Sequence, residues 1–195
     1  EIGLNYKDQH QEPMQHCEYL QREQLETVNP HISAQFQHAI YFPHLANVRN
    51  PRLLKSLISY LKQHPQVEVY ENTWIEKFNI QNQKIQSVES ANRQRFVADQ
   101  FVIATGAWSH CWAEQLQLSI PVEPVQGQMM LFKTPENWLP TMCMNNVMYL
   151  IPRRDGHIVC GSSMDHIGFD KRPNVQTQQN IYKACIEMVP ELANF

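Results

Sequence analysis

Glycine is scarce in this sequence, with only six residues, at positions 3, 106, 127, 156, 161 and 168. These positions fit neither G-x-G-x-x-G nor G-x-x-x-x-G-K-[ST], the two glycine-rich loops that bind nucleotide phosphates. No apolar run approaches the roughly 20 residues of a membrane-spanning helix. Sixteen basic residues against nineteen acidic ones give a net charge of −3, so no basic surface for nucleic acid is expected. The sequence therefore predicts no phosphate loop of its own, no membrane span and no nucleic-acid partner.

Paired cysteine motifs are missing as well. The five cysteines are odd in number and form no C-x-x-C: they are Cys17, Cys111, Cys143, Cys160 and Cys185. No signal peptide is recognisable, so we expect reduced thiols in a cytoplasmic protein. Cys160 and Cys185 fall on apolar faces, where we expect them to act as small hydrophobic side chains.

The residues that are present predict a folded α/β chain. Of the 195 residues, 43% are hydrophobic, as in a folded soluble domain. A helix is predicted from Asn50, because Pro51 suits the first helical position and an apolar stripe follows at helical spacing. The strands predicted after this helix cover residues 67–70, 74–80 and 84–89, the last two as a hairpin.

A continuous apolar run at residues 101–104 is the most informative local signal. Such a run is typical of a strand buried on both faces of a parallel sheet. Thr105 and Gly106 follow it directly, and a short helix is predicted from there to about Leu116. In open α/β sheets ligands bind at the carboxyl ends of the strands, so we expect a ligand near this turn.

The second half of the chain has the pattern of an antiparallel sheet with a covering helix. Predicted strands cover 122–125, 128–133, 147–151 and 157–160, and a helix covers 178–192. Residues 153–156 contain Asp-Gly, which favours a tight hairpin turn. We expect Tyr149 and Ile151 to share one face and to pair with Ile158 and Cys160.

Each candidate site residue has two readings from its local sequence. Thr105 and Gly106 contact a dinucleotide or simply form a sharp turn. Gly127 permits close approach of a flat cofactor or forms a β-bulge. Tyr149 binds a substrate or satisfies its hydroxyl locally, and Met164 lines a pocket or packs in the core.

Four segments, in this order, resemble the FAD-dependent amine and amino-acid oxidases, the group that contains glycine, sarcosine and D-amino-acid oxidases. The segments are FVIATGAWS at 101–109, PVQGQ at 124–128, MYLIPR at 148–153 with Asp155-Gly156, and VCGSSM at 159–164. Among these enzymes the pattern is most similar to the glycine oxidase branch of thiamine biosynthesis. The resemblance covers nearly the whole chain.

The resemblance implies a central fragment with parts of two domains. Residues 1–48 begin the substrate domain in an irregular segment. Residues 49–118 form part of an FAD-binding, parallel-sheet domain with a β-meander. Residues 119–195 form a truncated antiparallel substrate-binding domain with covering helices.

The resemblance also implies which residues contact FAD. Thr105, Gly106 and Ala107 are expected against the ribityl–pyrophosphate region. The backbone of Ile75 is expected at the adenine end, and Gly127 is expected beside the isoalloxazine ring.

For the substrate, the resemblance implies that the Tyr149 hydroxyl binds the carboxylate and that Met164 forms an apolar wall. The implied reaction is hydride transfer from the α-carbon of a small amino acid or amine to FAD. The imine then hydrolyses to a 2-oxo acid, and molecular oxygen reoxidises the flavin with formation of peroxide. No residue is assigned to catalysis or to a metal, and a homo-oligomer is expected.

Three family elements have no counterpart in the sequence. These are the G-x-G-x-x-G segment, the arginine that binds the substrate carboxylate as a bidentate partner, and a glycine-rich segment that closes over the flavin. We therefore expect this chain alone neither to retain FAD nor to oxidise a substrate. The alternatives are a D-amino-acid dehydrogenase that passes electrons to a quinone, and a non-catalytic binding module of the same fold.

Overall fold

The computed structural model describes residues 17–195, which form two compact units. One unit comprises the described residues up to Asn47 together with Gln126–Phe195. The other comprises Val48–Val125. No helix in the described residues is long and apolar enough to cross a membrane.

A two-stranded sheet and a short helix begin the first unit. Strands β1 (Glu18–Gln21) and β2 (His38–Tyr41) pair antiparallel, and helix α1 (Arg22–Val28) follows β1 directly. The Arg22 guanidinium donates to the backbone carbonyls of Ile32, Ser33 and Phe36 at 3.0–3.3 Å. These bonds hold the loop between α1 and β2 against the helix.

A four-stranded antiparallel sheet forms the centre of the first unit. Its strands are β6 (Met129–Lys133), β7 (Cys143–Met144), β8 (Tyr149–Pro152) and β9 (His157–Gly161), in the order β6-β9-β8-β7. The predicted hairpin turn at 153–156 is confirmed. Gly156 adopts a φ of +76° there, a conformation that glycine reaches without steric cost.

The register of this hairpin differs from the predicted one by one residue. The pairs are Tyr149 with Gly161, Leu150 with Cys160, Ile151 with Val159, and Pro152 with Ile158. The turn sets this register, because the Arg153 N–H donates to the His157 carbonyl at 2.8 Å and closes a loop of three residues, 154–156. The prediction that Tyr149 and Ile151 pair with Ile158 and Cys160 was wrong.

One face of the four-stranded sheet packs against helix α4 (Val175–Met188), which in turn contacts the 3₁₀ helix Pro190–Asn194. Asn174 caps α4 by accepting the Thr177 N–H at 3.1 Å. The expectation that Cys160 and Cys185 act as small buried side chains is confirmed, since both are 0% exposed. A hydrogen bond to Cys185, together with burial, raises the pKa of the Cys160 thiol.

The second unit contains a helix and a three-stranded antiparallel meander. Its elements are α2 (Asn50–Gln63), β3 (Ile75–Gln81), β4 (Lys84–Ser90), β5 (Arg95–Phe96), the 3₁₀ helix Gly106–Trp112, and α3 (Ala113–Leu116). The predicted helix at Asn50, the hairpin and the short helix after Gly106 are confirmed. The Gln115 side chain accepts the Phe78 N–H at 3.2 Å and donates to the Glu76 carbonyl at 3.1 Å, so it covers part of the β3 edge.

Three predicted strands, at 67–70, 101–104 and 122–125, are not formed. Val102, which the prediction buries on both faces of a parallel sheet, is 90% exposed. A strand needs a neighbour for its backbone N–H and C=O groups, and the described residues pair none with these segments. All strand pairs between residues 17 and 195 are antiparallel.

Candidate functional site

Tyr149, Gly161 and Met129 lie side by side across three strands of the first unit. Gly161 on β9 pairs with Tyr149 on β8 at one side and with Met129 on β6 at the other. The Tyr149 hydroxyl donates a hydrogen bond to Met129 Sδ at 3.4 Å. The tyrosine side chain therefore crosses the sheet over the glycine.

This side chain lies on the sheet face that points away from the core. Successive side chains of a strand point to opposite faces, and Leu150 and Cys160, on the inner face, are 0% exposed. On the outer face, Met129 is 61% exposed and Leu131 is 54% exposed. The outer face is thus an accessible apolar surface with one phenolic hydroxyl, which suits a small ligand with one polar group.

Gly127 lies beside the segment that leads to Met164. A Cβ placed on Gly127 would lie 3.5 Å from the Ser163 carbonyl oxygen, an ordinary contact distance. Met164 itself is 75% exposed, so it does not pack in the core. The structure thus places Gly127, Tyr149 and Met164 in the same unit.

A hydrogen-bond network fixes the backbone on either side of Gly127. The Asp165 carboxylate accepts from the Ser163 hydroxyl at 2.6 Å and from Gln128 Nε2 at 3.3 Å. The Ser163 hydroxyl in turn accepts the Gln128 N–H at 3.0 Å. The backbones of Gln126 and Asp165 form an antiparallel bridge. This bridge and the hydrogen bonds of the Asp165 carboxylate together hold residues 126–128 against residues 163–165.

An ion pair lies next to this network. The Arg172 side chain donates to both carboxylate oxygens of Asp170, with its Nε at 2.9 and 3.0 Å. These hydrogen bonds lower the pKa of Asp170 to about 2. Gln126 Nε2 donates to the Asp170 carbonyl at 2.9 Å, which ties the ion pair to the segment containing Gly127.

The predicted dinucleotide turn belongs to the second unit. Thr105 Oγ1 lies 3.1 Å from Ser109 Oγ, and the Thr105 carbonyl accepts the Trp108 N–H at 3.1 Å. Gly106 has a φ of +54°, and a Cβ placed on it would meet no heavy atom within 4 Å. The Ala107 carbonyl lies 3.0 Å from His110 Nδ1. The backbone of this turn is therefore open on the glycine side.

Ile75, the remaining predicted cofactor contact, begins β3 in the same unit. It is half-buried and pairs with Ser90 of β4. Thr105, Gly106, Ala107 and Ile75 thus belong to one unit, and the other three predicted site residues belong to the other.

Sequence reasoning missed Gly161 and Met129. Glycine is uncommon inside strands and often marks a close approach of another group. That signal was present at Gly161, but the predicted register placed Cys160 instead of Gly161 in the row containing Tyr149. The exposed Met129 carried no distinguishing pattern.

Each unit, taken by itself, has a feature that fits part of the flavin cofactor that the sequence resemblance implies. In the first unit, the accessible apolar outer face at Met129 and Leu131 suits a flat ring. In the second unit, a Cβ on Gly106 would meet no heavy atom within 4 Å, so the turn has room for a phosphate-containing chain.

Comparison with known proteins identifies relatives of this chain. Residues 3–195 match the protein family described as FAD dependent oxidoreductase. A glycine oxidase from Pseudomonas putida is 42% identical over 163 residues, which is 84% of this chain and 44% of that protein. A bifunctional protein ThiO/ThiG from Trichormus variabilis is 28% identical over 80% of this chain and 23% of that protein.

The fold is also found among solved structures. The glycine oxidase of Bacillus cereus superposes with a TM-score of 0.88 at 22% identity, over 97% of this chain and 53% of that chain. This likeness confirms the mixed fold with helices and antiparallel sheets. The chain spans about half the length, or less, of the relatives it matches.

Proposed function

The chain belongs to the family of FAD-dependent oxidoreductases, and from that premise we propose that it is the central part of an enzyme that oxidatively deaminates glycine or another small amino acid or amine. The 42% identity to a glycine oxidase over 84% of the chain carries this proposal. The accessible apolar face with its single hydroxyl at Tyr149 supports it, because a small zwitterion offers one carboxylate to bind and little side chain to accommodate.

In this proposal Tyr149 orients the substrate. Its hydroxyl donates to the substrate carboxylate, a charge-assisted hydrogen bond stronger than a neutral one. Met164 supplies an apolar wall that limits the water around the reacting carbon. FAD, when bound, would supply the acceptor for the hydride of the α-carbon. The resulting imine then takes up water and releases ammonium and a 2-oxo acid.

We propose that the cofactor contacts divide between two domains. We assign residues 49–118 to the FAD-binding domain, with the open turn at Thr105, Gly106 and Ala107 against the ribityl–pyrophosphate chain and the Ile75 backbone at the adenine end. Residues 1–48 and 119–195 belong to the substrate domain, where Gly127 lies beside the isoalloxazine ring.

Molecular oxygen is the proposed electron acceptor, with hydrogen peroxide as the second product. The similarity to a protein named ThiO/ThiG agrees with a place in thiamine biosynthesis. A cytoplasmic location fits five cysteines that form no disulfide in the described residues, and we propose a homo-oligomeric enzyme.

The test uses full-length protein supplied with FAD and glycine, with oxygen uptake, peroxide and ammonium measured together. Equal amounts of peroxide and ammonium are expected. The matched control substrate is 2-methylalanine, which has the same carboxylate and ammonium groups but no hydrogen on the α-carbon, and it should give no peroxide. Dye reduction without oxygen uptake would favour the dehydrogenase, and failure to bind flavin would favour a binding module.

The 195-residue chain expressed alone is expected to retain no flavin and to produce no peroxide. The physical reason is that none of its six glycines forms a G-x-G-x-x-G loop. Absorbance at about 450 nm, where bound flavin absorbs, measures retention after gel filtration. A yellow chain that releases peroxide with glycine would contradict this expectation.

A further inference from the structure

We propose that Gly161 is a positioning residue for Tyr149. By leaving the middle of the sheet free of a side chain, Gly161 lets the tyrosine lie across strand β9 and fixes the place of its hydroxyl. This inference rests on the proposed function, in which that hydroxyl binds the substrate carboxylate.

The requirement at Gly161 is for space rather than for backbone freedom. Among the glycines that the structure describes, Gly106, Gly156 and Gly168 have positive φ, and Gly161 is not one of them. A left-handed backbone is therefore not the reason for glycine at this position, and glycine weakens a strand interior. A Cβ on Gly161, however, would lie 2.7 Å from the Tyr149 hydroxyl oxygen and 3.0 Å from Tyr149 Cζ. Glycine at position 161 therefore makes room for the Tyr149 side chain.

The atoms that a methyl group would displace are side-chain atoms. Besides Tyr149, the nearest one is Met129 Cγ at 2.9 Å. Both belong to outward-facing side chains that can rotate, whereas the strand backbone is held by pairing on both sides. Gly161→Ala should therefore move the hydroxyl and leave the sheet in place.

In the proposed function, the Tyr149 hydroxyl must give up its hydrogen-bond partner when the substrate carboxylate binds. A thioether has no hydrogen to donate, so in the 3.4 Å contact the hydroxyl is the donor and Met129 Sδ the acceptor. Sulfur is a weak acceptor, and a substrate carboxylate replaces it readily. Met129 thus orients the O–H bond without competing strongly with the substrate.

The test measures KM and kcat for glycine in the full-length holoenzyme with Gly161→Ala, Tyr149→Phe and the double variant. Because a hydrogen bond to a charged group is lost, each single variant should raise KM about tenfold or more. The double variant should raise KM no further than the larger single effect, since both changes act on one hydroxyl. Val175→Ala removes a similar amount of side chain at the exposed start of α4, outside this face, and should leave KM unchanged.

A second readout does not depend on turnover. In protein labelled with ¹³C at the methionine methyls, the Met129 signal should shift in both Tyr149→Phe and Gly161→Ala, while that of Met142 stays in place. If glycine is not oxidised but the Met129 signal shifts, the proposed function fails and the positioning stands. An unchanged KM and an unchanged Met129 signal in Gly161→Ala would overturn the positioning.

One further variant covers the case in which Gly161→Ala does not fold. Replacing Tyr149 by leucine in the same protein removes the two Tyr149 atoms that the new methyl group meets. It leaves only Met129 Cγ, on an exposed side chain that can rotate, so folding should be restored. A double variant that remains unfolded would show that strand β9 requires the glycine independently of Tyr149. This result would overturn the inference.

Discussion

The side-chain amide of Asn29 donates a hydrogen bond to Cys143 Sγ at 3.1 Å and another to Thr141 Oγ1 at 3.0 Å. Asn29 is only 1% exposed. The bonds join the end of α1 to the segment that leads into β7, more than a hundred residues later in the chain. Asn29 and Cys143 also line a cavity of about 290 Å³ with mostly apolar walls.

Cys143 is expected to react slowly with alkylating reagents. Burial raises the pKa of its thiol to about 11 against the opposing hydrogen bonds from Thr141 and Asn29. At about pH 8 only roughly one thiol in a thousand is then ionised, and the thiolate is the reactive form. Iodoacetamide labelling followed by peptide mass spectrometry should show the exposed Cys111 modified first. Cys111→Ser is the control, and labelling of Cys143 as fast as Cys111 would contradict the expectation.

Asn29→Ala should lower the free energy of unfolding by about 1–3 kcal/mol, the usual loss when buried polar partners are left unsatisfied. Thr141 Oγ1 and Cys143 Sγ both lose a donor in this variant. Urea denaturation measures the change. Gln37→Ala is the matched control, because that amide also donates a hydrogen bond, at 2.7 Å to Ala34, but at the surface. Equal losses in the two variants would show that burial of the Asn29 bonds adds nothing.

The Asp170 carboxyl is expected to titrate well below a free aspartate. Hydrogen bonds from Arg172 lower its pKa from 3.8 to about 2. Because the folded-state pKa is the lower one, the ion pair stabilises the protein above about pH 4. That contribution is lost as the pH falls from there through 2. Carboxyl ¹³C NMR measures the midpoint, which should return towards 3.8 in Arg172→Gln; an unchanged midpoint would refute the assigned cause.

Local signals predicted the elements that are stabilised by their own neighbours in sequence. The turn at residues 153–156 follows from Asp-Gly, and the helix at Asn50 follows from Pro51 and its apolar stripe. Residues 101–104 have an equally clear apolar pattern but form no strand. A helix satisfies its hydrogen bonds internally, whereas a strand depends on segments distant in sequence.

The candidate site also depends on pairing between segments that are distant in sequence. Sequence alone singled out Tyr149, because a tyrosine among apolar strand residues is recognisable. Its relation to Gly161 depended on the strand register, and a shift of one residue moves every side chain to the other face. The network around Asp165 joins residues 35 to 37 positions apart, and no local pattern predicts such contacts.

Gly156 and Gly168 form a matched pair that separates backbone strain from steric overlap. Both have positive φ, +76° and +67°, so alanine at either position carries a conformational cost of about 1–2 kcal/mol. A Cβ on Gly156 would also meet the Thr134 carbonyl oxygen and lie 3.3 Å from the Pro135 carbonyl carbon, whereas one on Gly168 would meet nothing within 4 Å. Gly156→Ala should therefore lower the free energy of unfolding by at least about 2 kcal/mol more than Gly168→Ala. Thermal and urea unfolding measure both variants. Equal losses in the free energy of unfolding would mean that the hairpin turn accommodates the added methyl group without further destabilisation.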